Sequence, residues 1–487
     1  MCGKSIVTVY SPDKKFIVYC KDCWWGDKWD AENYGRDFDF SKPFFDQFAD
    51  LVKVVPRLNL VNVNQENSDF TNYGYANKDC YLIYTSDENE KCYYGSYVWD
   101  SLGCLDCLYV LDSKYSYGCV DSVGLYECQY CRMSENCRNC KDCYDCKKCS
   151  NCFGCVGLRH KEYYFLNENL GEDEFKKRLQ KILSDGELLK KCLTEYNSLI
   201  ANFPKRATFQ VNCQDCFGNY LKNSKNLYWC FDGRGAEDVK WGTNLSTNVH
   251  DCYDVDGCAF LEWSAEVIST GLSVNNVFAS DHGWNGNFEL FYSSYCTGTH
   301  DSFGCAGLRK KEFCILNKKY SKEEYEKLRE KIVEHMKKTG EWGEFFPIKF
   351  SPFAYNETLA GHQYPLSKED VLSRGWKWKD PDSRDYLPQN KEILACEKCK
   401  KNYKIIPQEA EYLQKWQLPV PRFCPDCRHD ARDTMRMPRN LWQRKCDKCG
   451  VEIWAGYESG GKEKGRAPRA TRSLSIVYCE KCYLESL

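Results

Sequence analysis

Apolar residues recur at helical spacing in two stretches of the chain. In the second stretch, the sequence that runs from Ser321 to Glu324 forms a capping box, in which serine and glutamate each satisfy a backbone N–H group. The apolar positions are Phe175, Leu179, Ile182 and Leu183 in the first stretch, and Tyr325, Leu328, Ile332 and Met336 in the second. Such stripes predict amphipathic helices that pack against the body of the protein.

A shorter period precedes the first of these helices. Cysteines fall twelve residues apart except where Ser116 interrupts, and a second series lies three residues later. The first series is Cys80, Cys92, Cys104, Cys128, Cys140 and Cys152, and the second is Cys107, Cys119, Cys131, Cys143 and Cys155. A fixed short period is typical of solenoids, in which each coil stacks on the last. We therefore expect a β-solenoid with ladders of cysteine side chains, about 4.8 Å apart along the axis.

The repetitive body is present twice. FGCVGLRHKEYYFLN, starting at Phe153, matches FGCAGLRKKEFCILN, starting at Phe303, without a gap. The predicted fold class is therefore mainly β with some α: two duplicated cysteine-rich β-solenoid units, each ending in an amphipathic helix, flanked by zinc ribbons. Each copy also repeats Gly-Leu-Arg, ending at Arg159 and Arg309. This motif is either an anion-binding turn or, as we favour, a cap whose arginine satisfies terminal carbonyl groups.

Paired C-x-x-C knuckles near the C-terminus indicate metal binding. Each knuckle directs two thiolates at one point, so that two knuckles complete the tetrahedral site that Zn²⁺ prefers. The predicted ligands are Cys396, Cys399, Cys424 and Cys427 in one module, and Cys446, Cys449, Cys479 and Cys482 in the other. A helix is predicted over residues 408–416, after Pro407, between the knuckles of the first module. That order is typical of a treble-clef zinc module.

The N-terminus repeats part of the last ribbon. Cys2-Gly, followed by Ile-Val-Tyr-Cys20 and Cys23-Trp, parallels Cys449-Gly, followed by Ile-Val-Tyr-Cys479 and Cys482-Tyr. The match lacks one ligand, which would fall two residues before Met1. Either the natural start lies upstream, or the ribbon is incomplete and leaves the fourth zinc position to water. The sequence thus predicts two or three Zn²⁺ ions.

Composition and charge narrow the class of protein. The chain has 487 residues with 34 cysteines, no apolar run of membrane-spanning length and no apolar core of a secretory signal. These features predict a cytoplasmic protein with thiols and thiolate–metal sites in place of disulfides. From Lys391 to Leu487, 20 Lys and Arg stand against 13 Asp and Glu, a balance of +7, whereas the rest carries 48 against 57, or −9. A basic tail on an acidic body suggests a polyanionic partner.

Several motifs together resemble a known group of proteins. They are the FGCxGLRxKE stretch, the SKEEYEKL helix, the FAYNETLA sequence from Phe353, and the RKCDKC sequence from Arg444. This combination is similar to a bacterial family of zinc-ribbon proteins with cysteine-rich repeats, to which no activity is assigned. The central module likewise resembles a C-x-x-C…C-x-x-C-R zinc-binding domain that ends here at Arg428. The resemblance implies zinc and architecture, but it supplies no reaction.

Three classes of function remain open from the sequence. The first is a non-enzymatic scaffold or a nucleic-acid-binding protein, with RNA or the ribosome as candidate targets of the basic modules and a protein partner on the solenoid. The residues predicted to contact nucleic acid are Arg428, Arg432, Arg436, Arg439, Arg444, Lys445 and Trp442. The alternative is that these arginines pair with the interleaved Asp426, Asp430 and Asp433.

The second class is a metal-handling or thiol-redox protein that uses the seven cysteines spaced every third residue from Cys137 to Cys155. For these thiols, packing as small buried side chains is the favoured alternative. The third class is an enzyme with dispersed carboxylates on a β-solenoid. No zinc-protease, phosphate-loop or dinucleotide motif is present, so we lean against an enzyme and predict no catalytic residue.

The predicted domain boundaries follow from these features. They are 1–45 for a truncated N-terminal ribbon, 46–200 and 201–340 for the two solenoid copies with their helices, 341–395 for a linker with a short helix, 396–435 for the treble-clef-like module, and 436–487 for the C-terminal ribbon. The sequence indicates no oligomeric state.

Overall fold

The fold is described from a computed structural model of the chain. It covers residues 1–245, 287–380, 392–458 and 475–487, together with the backbone of five short strands between residues 252 and 281. Residues in strands make up 28% of the structure and residues in helices 26%. The expectation of more β than α structure is therefore confirmed.

The chain divides into two compact units, each built from separated segments. The first unit comprises Met1–Asn59, Thr208–Asp380 and Arg439–Leu441, and the second comprises Leu60–Ala207, Pro381–Pro438 and Trp442–Leu487. The segment that contains Cys2, Cys20 and Cys23 thus belongs to the same unit as the helix Lys322–Thr339. Residues 392–438 and residues 442–487 belong to the unit that contains residues 60–207. The predicted boundaries did not anticipate this exchange of segments, and they stay predictions.

The second unit is built on a long ladder of parallel pairing. From Asn62 to Phe165, each paired residue lies opposite the residue twelve positions later, as in Ser96↔Leu108 and Phe153↔Phe165. The strands of this unit are Asn62–Val63, Asn72–Tyr75, Tyr84–Asp87, Ser96–Trp99, Leu108–Leu111, Val120–Val123, Tyr164–Phe165, Glu168–Asn169, Lys205–Arg206, Ile393–Ala395, Asn402–Lys404, Trp442–Lys445, Glu452–Ala455 and Val477–Tyr478. Its helices are Glu172–Ser184, Gly186–Asn202, Pro407–Lys415, Pro425–Asp433 and Glu480–Leu484.

Three-residue steps explain the composition of this twelve-residue ladder. At every third residue the backbone is left-handed, for example at Asn136, Asn139, Asp142 and Asp145 with φ between 51° and 53°. Asparagine, aspartate and glycine tolerate this region best, which accounts for their recurrence there. The next residue in each step is buried in the interior, and these interior positions carry the cysteines.

The first unit contains a less regular version of the same pairing. Its parallel register advances by 11 residues at Gln214↔Lys225, 12 at Tyr228↔Lys240 and 13 at Val239↔Cys252. Its strands are Val18–Tyr19, Arg57–Leu58, Gln210–Val211, Gln214–Lys222, Lys225–Arg234, Val239–Lys240, Thr243–Leu245, Cys252–Tyr253, Asp256–Cys258, Leu261–Glu262, Val274–Asn275, Phe278–Asp281, Phe288–Ser294, His300–Phe303, Glu312–Ile315 and Lys318–Lys319.

The described part of the first unit also contains helices. They are Lys21–Trp25, Phe44–Val54, Lys322–Thr339, Leu359–Gln363 and Lys368–Ser373, with 3₁₀ turns at Ala31–Tyr34, Ile348–Phe350 and Tyr355–Glu357. The side chains of Phe44, Tyr292 and Phe303 meet in the main apolar cluster of this unit. Phe44 of helix Phe44–Val54 thus packs against Tyr292 and Phe303 of two neighbouring strands.

The predicted helices are present. The capping box at Ser321 begins helix Lys322–Thr339, and Tyr325, Ile332 and Met336 are buried. The helix predicted over residues 408–416 is Pro407–Lys415. In the first copy the stripe is only partly correct, because Phe175 and Ile182 are buried whereas the side chain of Leu183 is exposed.

Candidate metal centres

Three groups of cysteines bring their sulfur atoms together. Within each group, all sulfurs lie within 4.8 Å of one another. The groups are Cys396, Cys399, Cys424 and Cys427; Cys446, Cys449, Cys479 and Cys482; and Cys2, Cys20 and Cys23. A tetrahedral zinc ion with Zn–S bonds of about 2.3 Å places its sulfurs roughly 3.8 Å apart. The measured Sγ–Sγ distances of 3.6 Å for Cys399–Cys424 and 3.8 Å for Cys449–Cys479 fit that size.

A hairpin and a helix N-terminus form the central group. Strands Ile393–Ala395 and Asn402–Lys404 pair antiparallel, and the turn between them is closed by a bond from the Lys400 N–H group to the Cys396 carbonyl, 3.0 Å long. Cys424 is the residue before helix Pro425–Asp433, so that Cys427 lies in its first turn. This is the order of elements expected for a treble-clef module.

Backbone N–H groups favour a thiolate at the first ligand of this group. Burial opposes ionisation of Cys396, but the N–H groups of Cys399 and Cys424 lower its pKa to about 6. Burial instead raises the pKa of Cys424 to about 11. Since zinc binds thiolates, loading the site releases protons from the remaining cysteines, and affinity should fall in acid.

The C-terminal group has the same construction. Strands Trp442–Lys445 and Glu452–Ala455 pair antiparallel, and the knuckle between them turns at Gly450, whose φ is 75°. Cys479 precedes helix Glu480–Leu484, and its N–H group donates to the Cys446 sulfur at 3.2 Å. Four thiols therefore converge here as they do in the central module.

The N-terminal group reproduces half of this arrangement. Cys20 precedes helix Lys21–Trp25, the Cys2 and Cys20 sulfurs are 3.7 Å apart, and Gly3 has a φ of 71°. Strand Val18–Tyr19 pairs in parallel with Arg57–Leu58 of its own unit. In the other unit, strand Val477–Tyr478 pairs in parallel with Lys205–Arg206. The N-terminal and C-terminal cysteine groups are therefore alike in a further respect: the strand before Cys20 and the strand before Cys479 each pair in parallel with a strand of their own unit.

The cysteines of the ladder hydrogen-bond with the backbone. The Cys137 thiol lies 3.5 Å from the Glu135 carbonyl oxygen and 3.3 Å from that of Cys146. A thiol also accepts: the Cys92 N–H group donates to the Cys80 sulfur at 3.4 Å. Serine takes the same role, since the Ser113 N–H group donates to the Ser101 hydroxyl at 3.1 Å. A small side chain with one donor and one acceptor therefore satisfies an interior position.

Metal binding by the cysteines from Cys137 to Cys155 finds no geometric support. Among the described residues, these thiols form no group of three or more with all sulfurs within 4.8 Å of one another. They are buried, and no disulfide joins the cysteines of the described ranges. The packing interpretation is the one that the structure favours.

Three of the arginines predicted to contact nucleic acid are buried in ion pairs within the second unit. Arg428 lies 2.7 Å from Asp106 and 2.8 Å from Glu409, and Arg432 lies 2.8 Å from Asp106. Arg436 pairs with Asp121 at 2.7 Å. The side chains of these residues are therefore buried, and their contact with nucleic acid stays a prediction. A phosphate could reach their guanidinium groups only by displacing the buried carboxylates.

The other predicted contact residues differ in exposure. In the first unit, Arg439 pairs with Asp232 at 2.7 Å and is buried. The Arg444 side chain is 8% exposed and donates to Asp447 at 2.9 Å. Trp442 is half-buried, and Lys445 is exposed. Of the predicted set, only Lys445 thus retains an exposed side chain.

Sequence reasoning missed the acidic partners of these arginines. Asp106 and Asp121 occupy left-handed positions of the twelve-residue ladder, with φ of 55° and 49°. The alternative raised from the sequence paired these arginines with Asp426, Asp430 and Asp433, and it did not include Asp106 or Asp121. Asp106 and Asp121 carried no signal of pairing in the sequence, because left-handed corners favour aspartate whether or not it is paired.

The arginine of each Gly-Leu-Arg motif hydrogen-bonds residues of its own unit. Arg309 donates to the carbonyl oxygens of Gly26 at 3.2 Å and Trp29 at 2.9 Å. Arg159 bonds the carboxylate and the carbonyl of Asp145, and the Asp145 carboxylate also accepts from the Tyr483 hydroxyl. Both arginines satisfy carbonyl groups, as a cap would. The carbonyls that Arg309 satisfies, however, lie in the segment that follows Cys23.

No protein-family model and no curated protein matches the chain. Within the described part of the chain, every helix is too short or too polar to cross a bilayer.

Proposed function

We propose that this chain is a zinc-binding structural protein, in which zinc ribbons are held against β-solenoid bodies to make a non-enzymatic scaffold. The observation that carries the proposal is the convergence of four cysteine sulfurs in each of the two C-terminal modules. Cysteine thiolates in this number and geometry suit Zn²⁺, and a closed four-thiolate site is typical of structural zinc. The three-thiol N-terminal group would hold a third ion.

The role of the metal follows from what lies beside its ligands. Cys427 is followed directly by Arg428, and the helix Pro425–Asp433 carries Arg432 one turn later. Both guanidinium groups reach Asp106 on the ladder. Zinc would therefore fix the start of the helix that inserts these arginines. Structural zinc contributes about 10–16 kcal/mol to folding in small peptides, enough to decide whether such a short module is ordered.

A scaffold accounts for the remaining features better than nucleic-acid binding does. Phosphate contact requires exposed cations, and the arginines of the basic segment that pair with Asp106, Asp121 and Asp232 are buried. The regular ladder instead supplies an extended rigid surface, as repeat proteins do for protein partners. We therefore propose that the buried arginines of the basic segment chiefly stabilise the fold through ion pairs.

Metal analysis of two variants of the full chain tests the proposal. Cys449→Ser should lower bound zinc by one ion per chain, because a hydroxyl replaces one of four thiolates. Cys140→Ser is the matched control, since that thiol is buried in the ladder and belongs to none of the three groups. Its zinc content should equal that of the wild type. Equal zinc content in wild type and Cys449→Ser would contradict the assignment.

A further inference from the structure

Two cysteines differ from all others in the described part of the chain. Outside the three metal groups, every cysteine whose side chain is described is buried except Cys213 and Cys216, which are partly exposed. They are separated by two residues, Gln214 and Asp215. A reagent dissolved in water could therefore reach these two thiols before it reached those of the ladders.

The position of the pair in the first unit explains its exposure. Strand Gln210–Val211 is the end strand of its sheet and pairs with Gln214–Lys222, so Cys213 lies between the first two strands of this pairing. The thiols of Cys213 and Cys216 lie 3.5 Å and 3.2 Å from the carbonyl oxygens of Val211 and Gln214, each two residues earlier. Both thiols thus make the local bond of an interior ladder position.

The two thiols also face the same surroundings. Both pack against the apolar cluster that contains Leu227 and Cys230 of the following strand. The thiol of Cys216 interacts with that of Cys213, and burial together with this neighbour raises the pKa of Cys216 to about 11. Among the described residues, no third cysteine, histidine or carboxylate completes a metal group around them. Two thiols without further ligands suit disulfide formation better than zinc.

We propose that Cys213 and Cys216 form a redox-active dithiol that reduces small disulfides. The thiolate of Cys213 attacks one sulfur of the small disulfide, breaks its S–S bond and expels a thiolate, leaving a mixed disulfide on Cys213. The thiol of Cys216 then loses its proton and attacks the Cys213 sulfur, which expels the second thiolate. The products are a Cys213–Cys216 disulfide and two small thiols, so the dithiol is oxidised by two electrons and the small disulfide is reduced.

This proposal is independent of the zinc assignment and places the thiol chemistry outside the cysteines from Cys137 to Cys155. Those residues are buried, whereas the end coil exposes its thiols. Accessibility and a neighbouring resolving thiol are the properties that distinguish redox-active cysteines from packing cysteines.

The test treats the zinc-loaded full chain with oxidised glutathione and maps the products by peptide mass spectrometry. We expect the peptide that contains both cysteines to lose two hydrogen atoms. In Cys216→Ser, glutathione should stay attached to Cys213, because the resolving thiol is missing. Cys230→Ser is the matched control: that thiol is buried in the same cluster, and its loss should leave the Cys213–Cys216 disulfide unchanged.

Several results would overturn the proposal. They are oxidation that spares both cysteines, a disulfide from either of them to another cysteine, or glutathione attached stably to Cys213 in the wild type. Zinc is measured in the same samples. Loss of the dithiol reaction at full zinc content therefore counts against this inference alone, whereas absent zinc with an intact reaction counts against the proposed function alone.

Discussion

Arg436 and Asp121 form a buried ion pair, in which the arginine Nε donates to a carboxylate oxygen at 2.7 Å. The guanidinium carbon also lies 3.5 Å from the centroid of the Tyr109 ring, on the preceding coil of the ladder. The arginine therefore combines a charge-assisted hydrogen bond with a cation–π contact. Both partners are about 92–94% shielded from water, so neither charge is compensated by solvent.

Replacing this arginine should destabilise the protein strongly. Arg436→Ala leaves the Asp121 carboxylate buried without its cation, a change that typically costs about 3–5 kcal/mol. Arg422→Ala is the control, because that side chain is 73% exposed and its pair with Glu397 is worth less than about 1 kcal/mol. Chemical denaturation of both variants measures the difference. Similar midpoints for the two variants would contradict a structural role for Arg436.

The interior of the ladder should accept serine but not a larger side chain. In Cys140→Ser the hydroxyl can still donate to the carbonyl oxygens of Arg138 and Cys149, which the thiol reaches at 3.3 Å and 3.6 Å. Cys140→Leu overfills a position that is 1% exposed and loses that donor. Overpacking of a filled core costs about 1–3 kcal/mol. We expect the serine variant to unfold at a higher temperature than the leucine variant; the reverse order would contradict the hydrogen-bonding role of the thiol.

Asp142 should make stability depend on pH. Burial raises the pKa of its carboxyl to about 7, above the ordinary value of 3.8 that the unfolded chain would have. Between pH 4 and pH 7 the folded state therefore binds more protons, and the contribution of this group to stability falls as pH rises. Asp142→Asn removes that dependence without a change of shape. At pH 8 the free energy of unfolding of the variant should exceed that of wild type by at least about 1 kcal/mol. A pKa shift of less than one unit is enough to produce a difference of this size.

Denaturant unfolding at pH 5 and pH 8 measures this effect as the difference between variant and wild type. Zinc is lost in acid from both proteins, so that the difference isolates Asp142 from the metal sites. A difference that is the same at both pH values would contradict the raised pKa.

Gly157 should not tolerate a side chain. Its φ is 71°, and a Cβ atom there would lie 2.3 Å from the Phe203 ring. Gly298 provides the control: it has a φ of 56°, and its nearest contact would be an ordinary 3.4 Å to Lys310. Gly298→Ala therefore measures only the cost of placing a side chain on a residue with positive φ, which is about 1–2 kcal/mol. Gly157→Ala should lower the unfolding temperature further, because Phe203 must move; equal effects would show that the contact is unimportant.

Local patterns were sufficient for part of the architecture. The knuckle spacing identified the sulfurs that converge, since two residues between cysteines confine both thiols to one turn, as at Cys396 and Cys399. The capping box at Ser321 located the start of a helix for the same reason: its bonds join residues three apart. The twelve-residue cysteine period likewise matches the register of the parallel ladder.

Long-range contacts decided the rest. The arginines were predicted as a basic set near the C-terminus, but the partners of Arg432 and Arg436 lie more than 300 residues earlier in the chain, at Asp106 and Asp121. Tyr483 and Asp145 are likewise 338 residues apart, and Met1–Asn59 belongs to the same unit as Thr208–Asp380. Short-range periodicity records which side chains share a face or a turn. It does not show which step of the twelve-residue ladder contacts which helix, because successive steps have similar residues at their left-handed positions. Only the tertiary structure determines which of these aspartates pairs with which arginine.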